Sequence, residues 1–430
     1  MVCNNILTST IYKTHGAGNP MVVIYPFPAV RPAVSMAQSI AAVPYDVVTT
    51  EEARACIERN PLTFLRVSRA DADMPMVSPN DPRVYERARE RFMDLVARGH
   101  LVQDDEPSLY LYRVYSGHQM FTGLVACAGV GDYHSGLIRR HELTQYEKEE
   151  DRTRHIDTVN AQTGLVFLVY RDRNGLHSSV ESLLGKATME CEVASNNGSR
   201  HQVLRVSDPV LIAEVKEKFL IVDALYIADG HHRAAAAANV ALKRELSGHL
   251  GPESGRIMAV LFAHHQVMIH GYSRLITDLR ELTREEFLAQ VATDFTIEPC
   301  DGMGTEQESP IGRIFMYLPG QWYCITLRDD FPSLSSGSLD VTVLQERILE
   351  RILGIGDPRR DPRLHYRGGI HSPSDLEEMV NRGTYAVAFA MVPVNIETVM
   401  EIADAKGIMP PKSTWFEPKL LSGLLVHLLD

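Results

Sequence analysis

Of its 430 residues the chain spends only six on cysteine: Cys3, Cys56, Cys127, Cys191, Cys300 and Cys324. They are scattered. No C-x-x-C pair occurs and no spacing matches a zinc site or a disulfide framework, so a reducing, cytoplasmic compartment is expected. No apolar run is long enough to cross a bilayer. Residues 1–20 are polar and mixed, without the apolar core of a secretory signal, and read as a variable leader. Positive charge is also scarce: 43 Lys and Arg stand against 55 Asp and Glu, a net charge of −12. A general nucleic-acid binder would need a basic face, so that class is disfavoured. What remains, 45% hydrophobic and 23% charged residues, is the balance of a globular protein. The length asks for two or three domains.

Periodicity gives a mixed α/β (α+β) organisation. In a first region, 21–135, Thr49 and Glu52 have capping-box spacing before a helix. A second helix is predicted from Val84 to Ala97, with Ala88, Phe92, Leu95 and Val96 on its apolar face. Leu109–Tyr115 and Gly123–Val130 read as strands. The middle region, 136–275, alternates: a helix capped by Thr144 and Glu147 running to about Val159, a strand at Leu165–Tyr170, a helix at Val210–Phe219, a strand at Ala224–Ala228, a helix at Arg233–Leu246 and a strand at Ile257–Ala263. Such alternation predicts an α/β unit with its ligand at the strand ends. A third region, 276–430, is mixed, with a capped helix after Thr283, helices at 341–353 and 396–405, and a strand at 385–392. Residues 300–312 read as a flexible loop.

The most informative segment is Leu225-Tyr226-Ile227-Ala228-Asp229-Gly230-His231-His232-Arg233, followed by five alanines. An apolar strand ends at Asp-Gly and a helix starts at once. The free N–H groups and the positive dipole end of that helix would converge on one point, a ready site for an anion. Gly230 allows φ > 0 and a close ligand approach, and Arg233 offers a planar fork suited to phosphate. The alternative is a tight turn with a solvated polar cap. Three residues that carry positive charge or protons oppose the dipole at a helix start, which favours a bound anion.

Arg139-Arg140-His141-Glu142-Leu143-Thr144 precedes the middle-region helix. Glu142 in these basic surroundings, with His141 beside it, would stay ionised and could accept a hydroxyl proton; as an alternative it merely complements a helix dipole. A zinc-protease motif would need histidine where Gln145 stands. Pro410-Pro411-Lys412-Ser413-Thr414-Trp415-Phe416-Glu417-Pro418-Lys419 ends like a P-loop, but prolines replace the glycine-rich turn, which rejects a Walker-type NTPase. It reads either as a rigid loop closing on a phosphorylated ligand or as a docking segment. Val43-Pro44-Tyr45-Asp46-Val47, before a helix cap, and His264-His265, on an apolar strand, read as structural, and His365, Arg367, Gly368 and Gly369 form another candidate polar loop with a weak signal.

Taken together, these motifs resemble the domain of unknown function 1015 family over nearly the whole chain, from Tyr25-Pro26-Phe27 onward. The matching segments include Pro44-Tyr45-Asp46-Val47-Val48, Arg140-His141-Glu142-x-Thr144, Asp151-Arg152, Ile227 to Arg233, Leu353-Gly354-Ile355 and Met409 to Lys419. The Asp-Gly-His-His-Arg segment is similar to the nucleotide-phosphate box of ParB-like domains, sulfiredoxins and free serine kinases. That resemblance implies a central ParB/sulfiredoxin-like domain, a base role for Glu142, and ADP or ATP phosphates held by Gly230, His231, His232 and Arg233. In the reading this supports, Mg²⁺ bridges phosphate oxygens with Asp229 as its partner directly or through water, and Lys412, Ser413, Thr414 and Lys419 complete the site. The long separation of Glu142 from Asp229 implies an insertion around 172–205. Sulfiredoxin chemistry needs a cysteine in the box, where His231 stands. The expected activity is a nucleotide-dependent phosphotransferase on a small-molecule hydroxyl, with free L-serine as acceptor or phosphoserine as donor in reverse. A phosphatase and a non-catalytic ParB-like nucleotide-binding regulator are the rivals.

Overall fold

The computed structural model describes residues 21–302, 312–328, 339–358, 360–368 and 372–430. The expected leader, Gly369 and most of the expected 300–312 loop lie outside these residues. The chain forms two units: the first runs to Val267 and includes Pro418–Asp430, and the second is Met268–Glu417.

The first unit is built on a nine-stranded sheet. Its strands, in chain order, are β1 (Ile24–Tyr25), β2 (Leu109–Ser116), β3 (Gln119–Gly129), β4 (Ile138–Arg139), β5 (Val166–Tyr170), β6 (Thr188–Ala194), β7 (Arg200–Val206), β8 (Leu225–Asp229) and β9 (Arg256–Ala263). They lie in the order β4-β8-β5-β9-β3-β2-β7-β6, with β1 also paired to β3. Two pairings are parallel, β8 with β4 and β9 with β5; the others are antiparallel. β2 and β3 come from the region expected to be a separate domain, yet β3 pairs along β9 and β2 along β7. A boundary near residue 135 would cut through this ladder, so 21–135 and 136–267 share one unit, and the expected end of the middle region at 275 moves back to Val267. The insertion expected around 172–205 supplies the β6–β7 hairpin that extends the sheet edge.

Five helices matter for the site: α1 (Thr50–Arg59), α2 (Pro82–Ala97), α3 (Tyr146–Val159), α4 (Pro209–Phe219) and α5 (His231–Leu246). The alanine run of α5 has a packing reason. Ala234, Ala237, Ala238 and Ala241 recur at helical spacing and join the core of β-strand residues such as Leu168, Ile227 and Leu261. Ala236 and Val240, on an adjoining face, pack with Ile156 of α3 and Leu429. Alanine is the best helix former and the smallest residue with a Cβ, so two crowded faces can approach closely at no propensity cost. The expected Thr49–Glu52 capping box is formed. The one expected at Thr144 is not. α3 starts later, at Tyr146, with Gln145 as an N-cap whose side chain makes no capping bond. The Thr144 hydroxyl instead donates to Glu149 Oε2 at 2.6 Å. His264 and His265 lie in a 3₁₀ turn after β9 rather than on the strand, and His264 Nδ1 accepts from the Asp172 amide at 3.1 Å.

The second unit holds a six-stranded antiparallel sheet of β10 (Ser273–Ile276), β11 (Phe295–Cys300), β12 (Arg313–Leu318), β13 (Gln321–Leu327), β14 (Leu364–Arg367) and β15 (Val387–Met391), ordered β11-β13-β12-β15-β10-β14. The helix expected over 341–353 is α-helical for Asp340–Leu344 and widens into a π-helical turn over Gln345–Glu350. Among the described residues, no helix is long and apolar enough to cross a membrane.

Candidate functional site

β8 ends at Asp229 and α5 begins at His231, with Gly230 between them at φ +92°. A side chain there would be strained and would also meet Arg233, since a Cβ would lie 3.0 Å from its Nε. No side chain caps α5. Its first intrahelical bond runs from Ala234 N–H to the Gly230 carbonyl at 2.9 Å. The turn therefore presents the uncapped N-terminus of a 16-residue helix, the setting in which backbone N–H groups and the dipole favour a negative ligand.

Asp229 is closely held. Its Oδ1 accepts from the Gly230 amide at 3.0 Å. Its Oδ2 lies 3.3 Å from Arg233 Nη2 and 3.8 Å from Lys419 Nζ. Burial alone would raise the pKa of this carboxyl, but Lys419 and Arg233 outweigh it and hold Asp229 well below the usual carboxylate range. Lys419 reaches Asp229 because the C-terminal segment threads back into the first unit. There the Leu421 amide donates to Tyr112 Oη at 3.0 Å, and Ser422 exchanges backbone bonds with Ala42.

Arg233 does not project as the sequence suggests. Its Nη1 donates to the Leu165 carbonyl and its Nη2 to Asp229, so the guanidinium turns inward. It joins a small cavity with Tyr45, Arg152, Thr163, Gly164 and Ser422. Arg152 stacks 4.3 Å from the Tyr45 ring centroid, and burial pushes the Tyr45 hydroxyl up to about 12. The Asp46 charge also acts on Arg233. The Tyr45-Asp46 and Asp151-Arg152 motifs, left as structural or unassigned by the sequence, thus meet beside the same turn. Asp151 accepts from Tyr85 Oη at 2.9 Å and from Arg152, which ties α2 to α3.

The loop carrying His141 and Glu142 packs against the start of α5. The Gln145 amide donates to His232 Nε2 at 3.0 Å. That nitrogen is therefore an acceptor, and the ring's proton sits on Nδ1 in the neutral form. Asn239 of α5 donates to Glu149 Oε1 at 2.7 Å, while Thr144 holds the other oxygen. The His141 and His231 rings meet edge-on at 4.7 Å. Burial lowers His141 to about 4 and His231 well below the ordinary imidazole value, so both rings are neutral near pH 7. One nitrogen of each ring and one Glu142 oxygen all lie within 4.8 Å of one another.

Several expected site residues thus come together: His141, Glu142, Asp229, Gly230, His231, His232, Arg233 and Lys419 all belong to the first unit. Lys412, Ser413 and Thr414 belong to the second. There the Lys412 ammonium lies 5.3 Å from the Tyr272 ring centroid, its carbonyl accepts from Arg274 at 3.0 Å, and the Ser413 hydroxyl is spent on the Pro410 carbonyl at 2.6 Å. The Mg²⁺ expectation at Asp229 also needs correction. Both oxygens are engaged, two cations flank the carboxylate, and Asp229 stands outside the one cluster of three or more candidate metal ligands among the described residues. The flanking cations oppose a further positive charge on this carboxylate, so Asp229 is a poor direct ligand for Mg²⁺, which draws most of its shell from phosphates and water in any case.

These features define a mixed α/β protein with an uncapped, glycine-started helix facing a loop of imidazole and carboxylate groups. The chain belongs to the family described as "Protein of unknown function (DUF1015)", whose model matches residues 24–344. Among solved structures it is similar to a free serine kinase in complex with AMP, at 12% identity and a TM-score of 0.39, covering 71% of this chain and 91% of that one. A conserved hypothetical protein from Pyrococcus furiosus matches at 13% identity and a TM-score of 0.36, over 71% and 97% of the two chains. C-terminally truncated SbnI from Staphylococcus aureus matches at 11% and 0.36, over 71% and 87%. No curated protein matches the chain.

Proposed function

We propose that the first unit binds the phosphates of a nucleotide, ADP or ATP, at the Asp229–Arg233 turn, and catalyses phosphoryl transfer to a small-molecule hydroxyl. Free L-serine is the best acceptor, with phosphoserine as donor in reverse. The supporting observation is the convergence of the uncapped α5 N-terminus, Lys419, and the Glu142–His141 loop. Phosphoryl transfer asks for positioning and charge stabilisation more than for covalent chemistry, and this turn supplies both. The N–H groups at the start of α5 offer fixed donors to phosphate oxygens, with Lys419 as a nearby cation. Arg233 acts from behind, fixing Asp229 and the turn. Glu142 is the group placed to take the acceptor's proton.

The test is direct. The purified chain is incubated with ATP or ADP and serine, and separately with phosphoserine and nucleotide, and products are followed by phosphorus NMR. Phosphoserine formed only with nucleotide is expected. Phosphate released from phosphoserine without nucleotide would replace this reading with a phosphatase. Nucleotide binding with no transfer to any hydroxyl compound would replace it with a ParB-like regulatory role.

A further inference from the structure

We propose that His141, Glu142 and His231 form a binding site for one divalent cation of zinc-type chemistry, in place of Mg²⁺ at Asp229. It lies within the catalytic site proposed above, and its role there rests on that reading; metal binding itself does not. Three donors, two imidazole nitrogens and a carboxylate oxygen, lie within 4.8 Å of one another, close enough to be drawn onto a single ion by small side-chain adjustments. His231 supplies the independent sign. The residue is 6% exposed, and its Nε2 is buried with no hydrogen-bond partner in the protein. A buried polar nitrogen left unsatisfied costs about 1–3 kcal/mol, a cost that a bound metal would remove.

The surroundings suit a metal as well. His141 is likewise buried, and its ring meets that of His231 edge-on at 4.7 Å. β8 leads directly into the turn that carries His231, so the strand end positions that ligand. A donor set of two imidazole nitrogens and one carboxylate oxygen favours Zn²⁺ or Co²⁺ over Mg²⁺, which prefers all-oxygen shells. Three protein ligands also leave a coordination position open, the pattern of catalytic rather than structural zinc. A phosphoryl oxygen or water can take it.

Metal content after chelator dialysis and re-equilibration with each cation tests the site, with the visible spectrum of bound Co²⁺ as the geometric readout. One Zn²⁺ or Co²⁺ per chain is expected, with Mg²⁺ much weaker. Glu142→Gln and His231→Asn should each weaken Co²⁺ binding by more than about ten-fold and alter its spectrum. If circular dichroism shows that His231→Asn is unfolded, Glu142→Gln carries the decision, because its side chain is only partly buried. No metal in the wild type, unchanged binding in a folded variant, or Mg²⁺ binding as tight as Co²⁺ would overturn the site. Metal bound without phosphoryl transfer would leave the site standing and remove the proposed reaction. Transfer by a chain stripped of metal would leave the reaction standing and remove the cation from it, with the binding measurements still deciding the site.

Discussion

Replacing Arg233 with alanine should lower the stability of the first unit by about 0.5–3 kcal/mol while changing phosphate affinity much less. Its guanidinium faces the interior: Nη1 donates to the Leu165 carbonyl and Nη2 lies 3.3 Å from Asp229. A hydrogen bond from a charged donor contributes about 1.5–3 kcal/mol. The Asp229 pairing adds about 0–1 kcal/mol at most, because that side chain is 34% exposed and Lys419 remains nearby. Against these stands the buried Nε, which has no hydrogen-bond partner; removing it relieves about 1 kcal/mol of desolvation cost. Urea unfolding followed by far-UV circular dichroism is the assay. Both tryptophans, Trp322 and Trp415, lie in the second unit, so tryptophan fluorescence would miss the change. An unmoved unfolding midpoint, combined with a hundred-fold loss of nucleotide affinity, would refute the reasoning. The guanidinium would then belong to the ligand rather than to the turn.

Gly230→Ala should destabilise by about 1–3 kcal/mol, from the left-handed backbone and the Cβ 3.0 Å from Arg233 Nε; chemical denaturation reads it, and wild-type stability would contradict the positive φ. Lys419→Met should weaken nucleotide binding about ten-fold or more in calorimetric titration, with stability changed by less than about 1 kcal/mol. Undiminished affinity would remove Lys419 from the site. Thr144→Val should loosen the Glu142 loop by breaking the 2.6 Å bond to Glu149, costing about 1 kcal/mol and lowering turnover more than nucleotide affinity. Unchanged turnover would show that the loop is held elsewhere.

Much of this site can be read from local patterns. The apolar strand, the glycine and the alanine run between Leu225 and Leu246 each follow from short-range rules, and the structure keeps the Asp229–His231 transition where those rules put it. The failures are non-local. Thr144 and Glu147 have correct capping spacing, but His232, from a distant segment, accepts the Gln145 amide, and α3 begins after it. Arg233 reads as a phosphate fork because nothing in the sequence announces that Leu165 and Asp229 will take its donors. Tyr45 and Arg152 reach the same turn through tertiary packing alone. The lysine-rich C-terminal motif is a single run in sequence, yet it is divided between units at Glu417 and Pro418. The β3–β9 ladder that joins the first and middle regions is hidden in the same way, since no periodic signature links its two strands.

Glu142 is where the two proposals compete, and one variant separates them. As general base it accepts the hydroxyl proton, and Glu142→Gln should then lose about 10²–10⁴-fold in transfer rate. As metal ligand it loses a coordinating oxygen, and the same variant should lose bound metal. A carboxylate has two oxygens, so both roles can coexist, one oxygen on the cation and the other toward the acceptor. Transfer by Glu142→Gln is therefore measured across a range of Zn²⁺ or Co²⁺, with occupancy followed in parallel. If the rate recovers as metal refills the site, the carboxylate serves mainly as a ligand. If occupancy recovers and the rate does not, the missing function is proton acceptance. A variant as fast as the wild type at every metal concentration would remove Glu142 from the chemistry altogether, leaving the α5 N-terminus and Lys419 as a binding site without a catalytic partner.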